Sequence, residues 1–322
     1  MIVTMALNPG IEKYIEIGQY EEGTTIDVSR YELRIAGSSI YAAYIMRLLQ
    51  AEPYVLGFAG GIGGRYIKNF LDKNRIKSNL ITKDKELKTT MIISAENGTA
   101  TRLVDDEEAF VEADAKNIKH KLVAQIDEAE LMVINGDITH HGSRDILMAS
   151  IDLVQKAHKR LLIALEGKQI MPFIECSPYA ILLDEYQVEM LTDGAIDLED
   201  SLEILRQLSI ENHIHYIFFS SGNQIIGITK NKISYGYIPK ATPETLAWEK
   251  HAVLGALAIG VKRKYEFEKM VKLMTSVRYA ITDRAYPALC TRKNVDLMNN
   301  KAKVVDYYRA GSYRIEEVQH GL

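Results

Sequence analysis

The residue types that could do chemistry fall in a few short stretches. Asp184-Glu185 follows an apolar run, and two adjacent carboxylates at a strand end could hold magnesium; the commoner alternative is a solvated pair. His213 and His215 stand two apart at a strand entry and so share a face, but zinc wants a third ligand and none accompanies them. His140-His141 sits in the loop after another apolar run, where α/β proteins place ligands. Gly60-Gly61-Ile62-Gly63-Gly64 could cradle a phosphate with bare backbone amides, although it lacks the lysine of a P-loop. Asp105-Asp106-Glu107-Glu108 reads as a solvated charge run. Glu244, Glu249 and Lys250 gather at the start of a long apolar helix. Carboxylates there suit the helix dipole, and the lysine could pair with one of them or bind an anion.

Such groups need a scaffold, and the hydrophobic pattern supplies one. Residues 1–7 form an apolar run stopped by Asn8-Pro9-Gly10, which predicts a buried strand. Residues 12–35 alternate apolar and polar, as half-buried antiparallel strands do. A helix is expected over 39–49, a strand over 54–58, a turn over 60–64 and a helix over 65–73. Runs 91–95 and 101–104 flank Glu96-Asn97-Gly98-Thr99, a tight-hairpin signal. Strands at 131–135, 161–165, 180–183 and 216–220 then alternate with helices such as 143–158 and 198–208, and two long helices, 247–261 and 266–280, close the chain. Alternation of this kind predicts a three-layer α/β/α sandwich with a mostly parallel central sheet. The chain reads as a single α/β domain over 1–322, with a small β lid from about 12–35 and 88–104.

Composition bounds the function classes. At 322 residues with 47% hydrophobic content the chain can bury a large core, and a net charge of -4 leaves no footprint for nucleic acid. No apolar run approaches the roughly 18 residues that would span a membrane, and no basic-then-apolar leader opens the sequence. Cys176 and Cys290 read as cytosolic thiols, so a cytoplasmic location is expected.

Several motifs recur in order along the chain. Leu7-Asn8-Pro9-Gly10-Ile11-Glu12 is similar to an LNPAID opening. Gly57-Phe58-Ala59-Gly60-Gly61 and Gly64-Arg65-Tyr66-Ile67-Lys68 are similar to GFLGGFTGEFIK. Asn135-Gly136-Asp137 stands for SGS, Ser220-Ser221-Gly222 for VSLG, and Cys290-Thr291-Arg292-Lys293-Asn294-Val295 for LPTREDVE. Leu254-Gly255-Ala256-Leu257-Ala258 matches the helix after the catalytic motif. The chain thus resembles the PfkB, ribokinase-like carbohydrate kinases, on the branch of 1-phosphofructokinase and tagatose-6-phosphate kinase. The resemblance implies a ribokinase-like fold, a sugar-phosphate acceptor and Mg-ATP as cofactor if the chain is a kinase. It also implies lid-to-lid homodimerisation.

Where that family carries its chemistry, this chain departs. Lys250 falls on the aspartate base of GAGD, with Ala247, Trp248 and Glu249 replacing the neighbouring residues; Glu249 and Glu244 are candidate substitute bases. The implied substrate positions are Glu12, Ser38 (for the GGKG lysine), Tyr41 (for asparagine), Thr89 in a TRxN element reduced to Lys88-Thr89-Thr90-Met91, and Asn135. LDTSG becomes Ala164-Leu165-Glu166-Gly167. On the nucleotide side KPNxxE becomes Leu182-Leu183-Asp184-Glu185-Tyr186-Gln187, which leaves Asp184, Gln187, Ser220 and Gly222 as candidates and no confident metal ligand set. The expectation is a sugar-phosphate kinase homologue without phosphoryl transfer that binds or regulates, the alternative being an active kinase with a rearranged site. Partners would be a phosphorylated metabolite, a second copy through the lid, or another protein, but neither nucleic acid nor membrane.

Overall fold

The computed structural model describes residues 1–36, 38–105, 109–139, 142–194, 197–243, 249–282 and 290–307. Glu244, Ala247, Trp248, His140, His141, residues 106–108 of the acidic run and the side chain of Ser38 lie outside the described residues.

The chain opens with β1 (Ile2–Ala6), runs out into β2 (Gly10–Ile17) and β3 (Val28–Ala36), and returns through α1 (Ser38–Leu48). Next come β4 (Pro53–Gly60), α2 (Gly61–Lys73) and β5 (Lys77–Lys83), before a second excursion through β6 (Thr89–Ala95) and β7 (Ala100–Val104). The central stretch runs α3 (Glu112–Ile126), β8 (Leu131–Asp137), α4 (Ser143–Lys156), β9 (Arg160–Glu166) and α5 (Met171–Ile174). It continues with β10 (Ala180–Leu183), α6 (Glu185–Leu191), α7 (Leu198–Glu211) and β11 (Tyr216–Ser221). The chain closes with β12 (Gln224–Ile228), β13 (Ile233–Tyr237), α8 (Glu249–Lys262), α9 (Phe267–Thr282), α10 (Arg292–Lys301) and β14 (Lys303–Tyr307).

Ten strands form one sheet in the order β14-β13-β12-β11-β10-β9-β8-β1-β4-β5. From β5 to β11 neighbouring strands are parallel, and β12, β13 and β14 add an antiparallel edge. Alternate side chains point to opposite helix layers. Ile2, Leu131, Val133, Leu162 and Leu182 pack with α1, α8 and α9, whereas Val3, Met132, Ile134, Ile163 and Ile181 pack with α3, α4 and α7. Both faces being covered, β1, β8, β9 and β10 read as largely apolar runs, broken only by Thr4 in β1 and by polar residues at the ends of β8 and β9. This is the mostly parallel, three-layer α/β architecture expected from the sequence, with a four-stranded lid sheet β3-β2-β6-β7 beside it. Both cysteines are free thiols, and no helix among the described residues is long and apolar enough to cross a membrane.

One local expectation is corrected. Of the glycine run over 60–64, Gly60 ends β4 and residues 61–64 form the first turn of α2 rather than a free turn. Gly61 has a φ of +54°, and a Cβ on Gly64 would come within 2.9 Å of the Ala59 carbonyl carbon, so glycine serves here to bring helix and strand together. The amides at that helix start are already engaged. Ile62 N and Gly63 N donate to the Glu86 carboxylate at 2.6 and 3.2 Å, which holds this carboxyl below the usual range.

The lid meets the body along β3. As the outer strand of its sheet, β3 leaves carbonyls without a strand partner. Tyr41 and Tyr66 donate their hydroxyls to Ile35 O and Leu33 O at 2.6 and 2.7 Å, so helices α1 and α2 cap that edge.

Candidate functional site

The carboxyl ends of β9, β10 and β11 face the start of α8, and a cleft of about 340 Å³ lies between them. Its walls include Glu166, Asp184, Ser220, Glu249, Lys250, His251 and Arg278. Helix α8 is buried along almost its whole length, so its first turn is driven into the molecule and carries three charged or polar residues with it.

Each of the three finds an internal partner. Lys250 Nζ donates to Leu165 O at 2.7 Å, to Asp184 Oδ2 at 2.9 Å and to Gln187 Oε1 at 3.1 Å. Burial lowers the proton affinity of this ammonium, and Asp184 opposes that shift. Asp184 is fixed as the N-cap of α6 through a bond from Gln187 N at 2.8 Å. Glu249 accepts from Ser220 Oγ at 2.9 Å and lies 2.7 Å from Arg278 Nε. Arg278 also donates to Gly222 O and Gln224 O at 2.7 and 2.8 Å, which clamps the turn after β11. His251 Nε2 lies 2.9 Å from Glu166 Oε1, and the hydrogen bond to His251 holds the Glu166 carboxyl below its usual range.

The lid side is built alike. Glu12 and Tyr14 on β2 lie opposite Arg34 and Glu32 on β3, so the four share one face. Arg34 is buried, 4.3 Å above the Tyr14 ring, and bonds Glu32 at 3.1 Å. Arg102 reaches Glu12 from β7 at 3.4 Å. Burial raises the Glu12 carboxyl, and the two arginines pull it back. Tyr41 is also buried, which pushes its phenol up, and the Glu12 charge adds to that shift.

Of the positions named from sequence, Lys250, Glu249, Asp184, Ser220 and Gly222 line one cleft. Gln187 is fully buried behind them, its amide donating to Leu165 O and Gly167 O at 2.9 and 3.0 Å. Glu12 and Tyr41 meet on the lid side. Asn135 is fully buried against the Ser39 hydroxyl, which also contacts Met5 O. Thr89 starts β6 opposite Ile11, its hydroxyl turned to Leu87 O at 3.4 Å. Of the two-histidine pair, His215 stacks on Tyr179 at 4.5 Å. Among the described residues no three His, Cys, Asp or Glu side chains gather as a metal would need.

Sequence reading missed Glu86, Arg34, Arg102, His251 and Arg278. His251 was the most visible of these, one residue after Lys250 in a helix whose other buried positions are almost all apolar. A larger concavity, about 750 Å³ between α7 and the β12–β13 turn, lies at the opposite end of the sheet, where Ile228 pairs with Ile217 at the beginning of β11. It holds none of these residues.

Comparison with known proteins places this site in context. No family model matches the chain. The chain is 20% identical over 277 residues to a 1-phosphofructokinase of Bacillus subtilis, covering 85% of this chain and 89% of that protein. To a 1-phosphofructokinase of Borreliella burgdorferi it is 23% identical over 317 residues, covering 96% and 99%. The chain is a relative of the PfkB sugar-phosphate kinases. A solved structure of a possible 1-phosphofructokinase from Thermotoga maritima superposes with a TM-score of 0.83 at 16% identity, over 95% of this chain and 99% of that one. The ribokinase-like fold is therefore shared with that protein.

Proposed function

We propose that this PfkB relative does not transfer a phosphoryl group and acts as a binding or regulatory protein, with a phosphorylated metabolite as the ligand class its frame suggests. The observation that carries this reading is the engagement of Lys250. At the position where the resemblance puts the base stands an ammonium that donates to three internal oxygens and cannot accept the proton of a hydroxyl. The cleft also fits Mg-ATP poorly. Its cations Lys250 and Arg278 face Asp184 and Glu249, so a triphosphate would have to break internal ion pairs to gain a counter-ion.

A second reading, an active Mg-ATP-dependent sugar-phosphate kinase with a rearranged site, has one observation in its favour. Glu249 Oε2 is buried beside the cleft with no hydrogen-bond partner among the described residues, as a substitute base would need. Turnover with a panel of sugar phosphates and Mg-ATP separates the two. No turnover supports the first reading. Robust turnover that is abolished in Glu249→Gln supports the second.

The same proposal includes a homodimer through the lid and a cytoplasmic location. The lid face opposite Glu12 and Arg34 carries Ile15, Tyr31, Met91, Ile93 and Leu103, with Tyr31 and Leu103 more than half exposed. Such a face favours a protein partner over open water.

A further inference from the structure

We infer that Lys250 is a tethered monovalent cation: its ammonium fills an oxygen cage, built by β9 and α6, that would otherwise take up a free ion of ammonium or potassium size. This goes beyond the loss of a base and stands whether or not the chain transfers phosphate.

The cage does not depend on Lys250 for its shape. Leu165 O belongs to the end of β9, a central strand hydrogen-bonded on both sides. Asp184 is held by the reciprocal cap with Gln187, whose Oε1 accepts from Asp184 N at 3.2 Å. The Gln187 amide nitrogen is anchored on two carbonyls, and that fixes the amide oxygen toward Lys250. Three oxygens from two elements thus converge on one point that the ammonium occupies, and its three N–H groups match them one to one.

Charge and distance select the kind of ion. The cage has one carboxylate, so a single positive charge balances it. Its separations of 2.7, 2.9 and 3.1 Å exceed the oxygen distances of about 2.0–2.1 Å for magnesium and about 2.3–2.6 Å for calcium. A large monovalent ion suits such a cage, and the adjoining cleft gives it a way in once the aminobutyl chain is removed. The tether has a structural result. One side chain of α8 ties the end of β9 to the start of α6, and the closure of these three elements needs no ion from solution.

The test is a set of thermal melts at constant ionic strength in choline, sodium, potassium and ammonium chloride. Wild type should melt at one temperature in all four. Lys250→Ala should melt about 5 °C lower in choline, because it removes three internal hydrogen bonds and leaves the half-buried Asp184 carboxylate without its counter-charge, and recover part of that loss in potassium or ammonium. Lys250→Met keeps the hydrocarbon in the cage, so it should be low in every salt. Adding Asp184→Asn to Lys250→Met should raise its midpoint again. The inference is overturned if Lys250→Ala melts alike in all four salts, or if Lys250→Met matches wild type in choline. If Lys250→Ala does not fold, the methionine pair decides: no gain from Asp184→Asn overturns it.

Discussion

Arg278 shows how much of this site rests on single side chains. It is almost fully buried, faces Glu249 and grips two carbonyls of the turn after β11. Arg278→Met should destabilise the fold by about 3–5 kcal/mol in denaturant titration, since it leaves a buried carboxylate without its counter-charge. Adding Glu249→Gln should return part of that loss. Glu86 makes a pH-dependent contribution of a different kind. Its folded-state proton affinity is depressed by the amides of α2, so its stabilisation is present above the ordinary carboxylate range of about 4.3 and is lost as pH falls through the depressed value. Glu86→Gln should therefore melt below wild type at pH 7, and the gap should close at a pH well below that range.

At the scale of elements, glycine sets the approach of α8 to α1. A Cβ on Gly255 would fall 2.6 Å from Ala42 O and 2.9 Å from Ile45 Cβ, so Gly255→Ala should cost about 1–3 kcal/mol by unfolding titration. The lid edge offers a second test. Tyr41→Phe leaves the Ile35 carbonyl without its donor, and a loss of about 1–3 kcal/mol is expected. These elements were legible in sequence because their signals are local: largely apolar runs for strands covered on both faces, alternation for the lid, and glycines at fixed offsets. The first turn of α2 was misread because a glycine-rich helix start looks like a loop until its capping carboxylate, 24 residues away at Glu86, is seen. The site was legible as a list of positions and not as a set of contacts. Lys250 stands 85 residues from Leu165 and 66 from Asp184, and nothing in either local sequence announces the other. Arg34 was overlooked for the same reason: an arginine on an alternating strand looks solvent-facing until the body of the protein covers it, while Arg102 stays exposed and reaches Glu12, 90 residues away in sequence.

For the whole molecule, the common feature is that charges which could greet an anionic ligand are met from within. The cleft pairs Lys250 with Asp184 and Arg278 with Glu249, the lid pairs Arg34 and Arg102 with Glu32 and Glu12, and the start of α2 holds Glu86. Association is readable at this scale too. Sedimentation should give a dimer, and Tyr31→Asp combined with Leu103→Asp should give a folded monomer; a monomeric wild type would remove the lid from consideration as a contact surface. The Lys250 cage finally bears on which residues position 250 can accept. An aspartate at 250 would be set against Asp184 and a backbone carbonyl with no positive charge between them, so Lys250→Asp should melt below wild type. The lysine thus works as a keystone: the end of β9 and the start of α6 both lean on one side chain, so a substitution at 250 is felt by both elements at once.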